Sequence, residues 1–295
     1  MKGDAVSAGQ TPPAASAARW RLRDRTLDLS SPRIMAICNV TPDSFSDGGE
    51  HYSVDLALQF VGDAVRHGAS VLDLGGESTR PGATPVPVDT ELARVLPVLE
   101  AVRERWPALL VSIDTVKSDV AREALAAGAH AINDVSAGRL DPTILDVVAR
   151  AGAGVVLMHS RGSVSDMASF THATYGDDVT AEVCAALRTE ASLAERAGIP
   201  HDAIILDPGF GFAKTSAQSL TVLRELQRVT ALGFPVLVGA SRKRFIGELT
   251  GVSEPSRRSI GSAVAHVIAV QRGARLIRTH DVAVTREALA VNAAI

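Results

Sequence analysis

The sequence predicts an α/β protein built as a (β/α)8 barrel of the TIM type, with a short N-terminal hairpin. Short apolar runs alternate with amphipathic stretches eight times, the runs are apolar throughout, and several amphipathic stretches end in glycine. Continuously apolar strands are typical of parallel sheets that helices cover on both faces, and a terminal glycine allows a tight return to the next strand. An open doubly wound sheet has the same local pattern, but the first strand lacks the G-x-G-x-x-G turn of dinucleotide-binding sheets.

The elements follow in a regular order. Residues 1–19 are rich in Ala, Pro, Gly and Ser, which predicts a flexible tail, and residues 20–295 are assigned to one barrel domain that begins with a hairpin at 20–29. Strands are predicted at 33–39, 70–76, 109–115, 131–136, 154–160, 203–209, 235–241 and 274–281. Helices are predicted at 55–68, 90–106, 118–128, 142–152, 179–198, 219–233, 258–273 and 282–295. Eight units of about 34 residues suit a barrel of this class.

Composition excludes several classes of protein. The chain has 295 residues, 46% of them hydrophobic, so it can bury a core. A formal net charge of -3 argues against general nucleic-acid binding, which needs a basic excess. Cys38 and Cys184 lie far apart, which argues against a disulfide framework and favours a reducing cytoplasm. Neither a membrane span nor a signal peptide is apparent.

Polar residues gather where the predicted strands end, and this is the end of a barrel that carries active sites. A single strand-end Asp is as often a helix cap as a ligand, so Asp73, Asp134 and Asp281 are assigned to capping or supporting roles, and Cys38 to the core. All eight strand ends nevertheless carry polar or site-like residues, among them Asn39, Asp114, Asn133, Met158, His159, Asp207, Ser241, Lys243, Arg278 and His280. This convergence predicts an active site at the mouth of the barrel.

The residue types indicate the chemistry. Asp114, Asp207 and Asn133 offer the acceptors and the amide that suit a planar, donor-rich heterocycle such as an amino-pyrimidine. Positive charge from Arg80, Lys243, Arg278 and His280 suits a phosphate or diphosphate group. The oxygen of Asn39 could hold a Mg²⁺ ion that bridges to diphosphate. No arrangement of nucleophile and base indicates covalent catalysis.

Eight motifs resemble one family, the dihydropteroate synthases of bacterial folate biosynthesis, and appear in that family's order. They are NVTPDSFSDGG (39–49), GGESTRPGA (75–83), SIDT (112–115), INDVS (132–136), MH (158–159), LDPGFGFAKT (206–215), GASRKRFIG (239–247) and RTHDV (278–282). The resemblance implies a transferase that joins 6-hydroxymethyl-7,8-dihydropterin diphosphate to p-aminobenzoate, giving 7,8-dihydropteroate and pyrophosphate. Small departures occur at Ala36, Cys38 and Thr279, none of which removes a functional group.

The resemblance also implies roles for individual residues. The pterin is expected to contact Asp114, Asn133, Met158, Asp207, Phe212, Lys243 and Arg278. The diphosphate is expected to contact Asn39, Arg80, Arg278 and His280, with Mg²⁺ on Asn39. The p-aminobenzoate pocket is expected to be formed by Phe45, Thr79, Pro81, Phe212, Ser241 and Lys243. Two mobile lids, the βα loops around 41–45 and 78–82, are expected to close over it, and the catalytic set is Asp43, Arg80, Asp114 and Lys243.

The implied mechanism is dissociative: diphosphate leaves, a carboxylate such as Asp114 stabilises a pterin cation, and the aniline nitrogen attacks. The family implies a homodimer and small-molecule partners, including sulfonamides that mimic p-aminobenzoate.

Two alternative functions stay open. One is a pterin-dependent methyltransferase, which would have no use for the SFSDGG and STRPGA loops. The other is a pterin-binding paralogue without turnover, which should have lost a lid or rim residue.

Overall fold

An antiparallel hairpin, β1 (Arg19–Leu22) and β2 (Arg25–Asp28), precedes eight parallel strands in the computed structural model, which describes residues 18–41, 50–78 and 84–295. The eight strands are β3 (Arg33–Asn39), β4 (Val71–Gly75), β5 (Leu110–Asp114), β6 (Ala131–Asp134), β7 (Gly154–Met158), β8 (Ile204–Asp207), β9 (Leu237–Val238) and β10 (Leu276–Thr279). Neighbours pair in the order β8-β7-β6-β5-β4-β3-β10-β9. A parallel bridge between Leu206 and Val236 closes the ring, so the predicted eight-stranded barrel is confirmed.

Helices alternate with these strands, as the amphipathic stretches predict. They are α1 (Glu50–Arg66), α2 (Val88–Arg105), α3 (Ser118–Ala126), α4 (Thr143–Ala151), α5 (Val179–Arg196), α6 (Ser216–Arg224), α7 (Leu226–Thr230), α8 (Arg244–Thr250), α9 (Ser259–Gln271) and α10 (Val282–Ala293). Several details differ from the prediction. Most strands are shorter than expected, above all β9, which has two residues where seven were predicted at 235–241. The single helix expected at 219–233 is interrupted at Glu225, whose ψ of 20° departs from helical geometry, and α8 lies where no helix was predicted.

The hairpin closes the N-terminal end of the barrel. Trp20, Leu22 and Leu29 are fully buried there, and the Trp20 indole donates a hydrogen bond to the Ala203 carbonyl at 2.9 Å. Gly154 makes this approach possible, since a Cβ atom at that position would lie 2.9 Å from both Trp20 and Leu22. One apolar side chain from each barrel strand belongs to the same buried cluster as Trp20, Leu22 and Leu29: Met35, Val71, Leu110, Ala131, Val156, Ile205, Leu237 and Leu276. The opposite end of the barrel is left for the site.

Two expectations from the sequence lie largely or wholly outside the described residues: the tail, which is described only from residue 18, and the two lids, whose residues 42–49 and 79–83 are not described. Within the part of the chain that the structure describes, no helix is long and apolar enough to cross a membrane. Both cysteines are free and buried.

Candidate active site

A cavity of about 810 Å³ opens at the C-terminal end of the barrel. Every described residue that the sequence analysis assigned to the site lines it: Asn39, Asp114, Asn133, Met158, Asp207, Phe212, Ser241, Lys243, Arg278 and His280. The other five assigned residues, Asp43, Phe45, Thr79, Arg80 and Pro81, lie outside the described residues. The polar strand ends therefore meet as the sequence predicts, while the role of each residue stays a prediction.

The register of the parallel strands explains why these side chains meet. Asn39 pairs with Gly75, Gly75 with Asp114, and Asp114 with Asn133, so the ends of β3 to β6 lie side by side at one level. Gly75 keeps this level open, because a Cβ atom there would lie 3.4 Å from the Asp114 Cβ and 3.5 Å from the Asn39 Oδ1. Met158 and Asp207 are paired in the same way at the ends of β7 and β8.

An ion-pair network crosses the barrel floor beneath the cavity. Arg278 on β10 donates from Nε to Asp73 Oδ2 at 2.6 Å and from Nη2 to Asp114 Oδ2 at 2.7 Å. The Asn133 amide donates to the same Asp73 oxygen at 2.9 Å. Burial disfavours the charged guanidinium, but Asp73 and Asp114 outweigh this effect and raise the pKa of Arg278. The network holds three predicted site residues in fixed positions.

The two carboxylates assigned to the pterin have perturbed acidities. Burial raises the pKa of Asp114 to about 7; Arg278 opposes the shift and the Asp73 carboxylate adds to it. Burial also raises the pKa of Asp207 to about 6, although the Gly209 amide stabilises the charged form by donating to Oδ1 at 2.7 Å. Both groups therefore exchange protons near neutral pH, where each can accept or donate a hydrogen bond.

Lys243 and Phe212 form the wall of the cavity next to the ends of β8 and β9. The Lys243 ammonium lies 4.1 Å from the centroid of the Phe212 ring, a cation–π contact. Burial lowers the pKa of Lys243 to about 8, Arg278 adds to this effect, and Asp207 and Asp114 oppose it. A Cβ atom at Gly211 would lie 3.3 Å from the Lys243 Cδ, so the glycine leaves room for this side chain.

Ser241 orients His280 at the rim. The Ser241 hydroxyl accepts a hydrogen bond from the His280 amide at 3.2 Å and lies 3.0 Å from the ring Nδ1. A hydroxyl has one donor hydrogen and two acceptor lone pairs, so either Ser241 or the His280 Nδ1 can be the donor in this second contact. Burial, Arg242 and Arg278 lower the pKa of His280 to about 3. The sequence analysis expected positive charge from His280, whereas the structure presents a neutral imidazole that can donate a hydrogen bond.

Asn39 is the candidate ligand for Mg²⁺. Its side chain lines the cavity. Among the described residues, no group of three or more His, Cys, Asp or Glu side chains is arranged to hold a metal. A single amide oxygen nevertheless fits a Mg²⁺ ion that keeps several waters and takes its remaining ligands from diphosphate.

Sequence reasoning did not assign Asp73, Arg242 or Arg258 to the site. Asp73 supports Arg278 and Asn133, which agrees with the supporting role expected of it, and a buried Asp inside an apolar strand is the signal that it has polar partners. Arg258 lines the cavity and donates to the Arg242 and Lys243 carbonyls at 3.0 and 3.4 Å. Arg242 pairs with Asp281 at 2.6 Å. Arg242 directly precedes Lys243 in the GASRKRFIG motif, whereas nothing in the sequence alone links Arg258 to that loop.

A family model described as "Pterin binding enzyme" matches residues 35–280, which are most of the barrel. The chain therefore belongs to the pterin-binding enzymes. Dihydropteroate synthase of Escherichia coli (strain K12) is 44% identical over 266 residues, which cover 90% of this chain and 92% of that protein.

Solved structures give the same result. A Xanthomonas albilineans dihydropteroate synthase with 4-aminobenzoic acid superposes with a TM-score of 0.87 at 50% identity, covering 94% of this chain and 98% of that one. A Yersinia pestis dihydropteroate synthase in a sulfonamide drug complex gives 0.86 at 42% identity, with the same coverage of both chains. Within the pterin-binding enzymes, the chain belongs to the dihydropteroate synthases, which are transferases of folate biosynthesis.

Proposed function

We propose that this cavity binds 6-hydroxymethyl-7,8-dihydropterin diphosphate and p-aminobenzoate together and joins them as 7,8-dihydropteroate, with release of pyrophosphate. The observation that carries the proposal is the pairing of two titrating carboxylates, Asp114 and Asp207, with Asn133 on one cavity floor. Carboxylates accept from the amino and ring N–H groups of a pyrimidine edge, and an amide can both donate and accept. Met158 and Phe212 supply apolar walls for the ring.

The second substrate is assigned to the Lys243 side of the cavity. Phe212, Ser241 and Lys243 offer an aromatic face, a hydroxyl and a cation, which suit an aromatic carboxylate. The X. albilineans relative binds 4-aminobenzoic acid and the Y. pestis relative binds a sulfonamide, which supports this class of second substrate. Sulfonamides are accordingly proposed to bind here. Phe45, Thr79 and Pro81 remain predicted members of this pocket.

The reaction breaks the bond between the pterin methylene carbon and the diphosphate oxygen and forms a bond from that carbon to the amine nitrogen, which then loses a proton. The Asp114 carboxylate stabilises positive charge that develops on the pterin, because opposite charges interact strongly where water is excluded. Arg278 and His280 contact the departing diphosphate, together with the predicted contact from Arg80. Asn39 would hold Mg²⁺, which when bound neutralises charge on diphosphate oxygens. Asp43 stays a predicted catalytic residue.

Asp207→Asn tests the assignment of the pterin. The variant keeps the size of the side chain but replaces an acceptor oxygen by a donor, so the pterin N–H groups lose a partner and binding weakens by about 1–3 kcal/mol. Asp146→Asn, on the exposed face of α4, is the matched control. Turnover is followed as pyrophosphate release with both substrates, with and without Mg²⁺, and binding by calorimetry. Wild-type pterin affinity in folded Asp207→Asn would remove Asp207 from the pterin site.

The oligomeric state is proposed from an exposed apolar face on α9 and α10, formed by Ile260, Val264, Val284 and Val291. Ile260 and Val264 are 79% and 55% exposed and lie four residues apart on α9, and exposed apolar surface on neighbouring helical turns can mark a contact site. We assign it to a second copy of the chain, which gives the homodimer expected from the family. The cytoplasmic location stays a prediction from the use of cysteine.

A further inference from the structure

Lys214 has a buried ammonium group behind the cavity. Only 1% of the residue is exposed, and its Nζ has three acceptors: His159 Nδ1 at 2.7 Å, the Gly209 carbonyl at 3.2 Å and the Phe212 carbonyl at 3.2 Å. Three acceptors match the three hydrogens of an ammonium group. Neither Lys214 nor His159 is among the described residues that line the cavity. The mechanism above therefore leaves this buried group unused.

The loop between β8 and α6 has an unfavourable backbone conformation, which hydrogen bonds to other parts of the chain stabilise. Gly209, Gly211 and Ala213 have φ angles of 69°, 76° and 45°, and such a conformation is unfavourable for alanine. The Ala213 amide donates to the Met167 carbonyl at 2.7 Å, and Lys214 ties the carbonyls of Gly209 and Phe212 to His159. The lysine thus connects both halves of the loop to the end of β7.

Two site residues depend on this loop. The Gly209 amide donates to Asp207 Oδ1 at 2.7 Å, so the position of Gly209 orients that carboxylate. The Phe212 ring lies under the Lys243 ammonium at 4.1 Å. Lys214 binds the carbonyls of these same two loop residues, Gly209 and Phe212. A shift of the lysine would therefore displace one polar contact and one apolar wall of the cavity.

His159 provides the fixed end of this connection. Its amide donates to the Asp207 carbonyl at 2.9 Å, which joins it to the neighbouring strand. Burial lowers the pKa of His159 to about 2, and Lys214 and Arg161 add to the effect. The ring is therefore neutral, and its Nδ1 accepts from the ammonium group. A Cβ atom at Gly209 would collide with the His159 carbonyl oxygen, so loop and strand are in close contact.

We propose that Lys214 is a positioning residue for the pterin, which through His159 and the loop carbonyls sets the orientation of Asp207 and the position of Phe212. The proposal rests on the proposed function for the assignment of Asp207 and Phe212 to the pterin. It makes Lys214 a determinant of pterin affinity although it touches no substrate. The diphosphate rim at Asn39 and His280 lies on other loops and is outside its influence.

Lys214→Met tests the proposal, because methionine is a similarly long side chain without donors or charge. KM for the pterin diphosphate should rise at least about tenfold, while kcat at saturation stays within about threefold of the wild type. A lysine with a purely structural role would instead lower the melting temperature and the active fraction, which reduces apparent kcat and leaves KM unchanged. Wild-type KM in folded Lys214→Met, whatever its kcat, overturns the proposal.

His159→Phe removes the acceptor of the same hydrogen bond. It tests the positioning role of Lys214 if the Lys214→Met variant does not fold. Its matched control is His130→Phe, since His130 is also a buried histidine whose Nδ1 accepts a hydrogen bond, from the Val111 amide at 3.0 Å, but at the opposite end of the barrel. Only His159→Phe should raise KM. Equal KM values in the two histidine variants contradict the proposal. A wild-type protein that releases no pyrophosphate contradicts the proposed function instead.

Discussion

Asp73 affects the acidity of Asp114, which lines the cavity, although Asp73 is not among the described residues that line it. Its Oδ2 accepts from Arg278 and Asn133, and its Oδ1 has no hydrogen-bond partner among the described residues. Burial is the largest cause that raises the pKa of Asp114; Arg278 lowers it, and the negative charge of Asp73 raises it. The guanidinium is shared by two carboxylates and offsets only part of the rise, so the pKa of Asp114 stays at about 7.

A pH dependence follows, with a defined sign. Burial raises the pKa of Asp114 to about 7 and that of Asp207 to about 6, so both carboxylates are protonated on the acid side and lose an acceptor oxygen. We expect kcat/KM for the pterin diphosphate to rise with pH through this range, since kcat/KM reports groups of the free enzyme. Asp73→Asn removes a like charge and should move the acid limb to lower pH.

The substrate diphosphate also titrates, and the Asp73→Asn comparison separates the two effects because the substrate is the same in both profiles. The control is Asp202→Asn, which alters an ion pair with Arg21 at the far end of the barrel. Its profile should overlay that of the wild type. If the acid limbs of the wild type and Asp73→Asn coincide, Asp114 does not control the acid limb.

The sequence predicted the identity of the site residues better than their physical state. Asp114, Asn133 and Asp207 could be found because their strand-end positions meet in any barrel of this class. The neutral form of His280 could not be found, since it depends on burial and on the nearby Arg242 and Arg278. These neighbours come from distant parts of the chain, and only the fold brings them together.

At the scale of elements, we expect the N-terminal hairpin to contribute to the stability of the fold and not to the activity. Trp20 is fully buried, and its indole is hydrogen-bonded to Ala203. Trp20→Ala should lower the free energy of unfolding by about 3–5 kcal/mol, the usual loss for a buried Trp. The hairpin and the cavity lie at opposite ends of the barrel, so kcat/KM at a temperature where the variant is folded should be unchanged.

Urea unfolding followed by circular dichroism measures this loss. Trp106→Ala is the matched control: Trp106 is the second of two tryptophans and is only half-buried, so its removal should cost less. Reduced kcat/KM in folded Trp20→Ala would show that the two ends of the barrel are coupled, contrary to this account.

The predictability of an element depended on its length and apolar content. Only β3 (Arg33–Asn39) was predicted at the observed bounds, and the other barrel strands are shorter than the apolar runs that predicted them, because those runs extend into the loops at the strand ends. The short α8 was missed, since its seven residues follow charged positions and contain less than two full amphipathic turns. The break at Glu225 between α6 and α7 was missed because Gly and Pro, the usual signals, are absent there.

At the scale of the whole molecule, the cavity occupies one end of the barrel, the hairpin the other, and the exposed apolar face proposed for dimerisation lies on the outer helices. The sequence could predict that the cavity lies at the strand ends and that helices form the outer surface of the barrel. It could not predict which outer face stays exposed, because α9 is apolar on most of its surface and only packing against α10 decides which side chains remain outside.

The proposal that the exposed apolar face on α9 and α10 forms a dimer contact can be tested by a charged substitution. Ile260→Glu places a charge on a residue that is 79% exposed, so the folded chain should be as stable as the wild type, but in a two-fold interface the charge enters both sides of the contact. Sedimentation should show the wild type at twice the 30.8 kDa chain mass and Ile260→Glu nearer the mass of one chain. Leu193→Glu, at a 44% exposed position on α5, is the control and should sediment as the wild type does. A wild type that sediments at 30.8 kDa at micromolar concentration, or an Ile260→Glu variant that stays dimeric, would remove the second copy from this face.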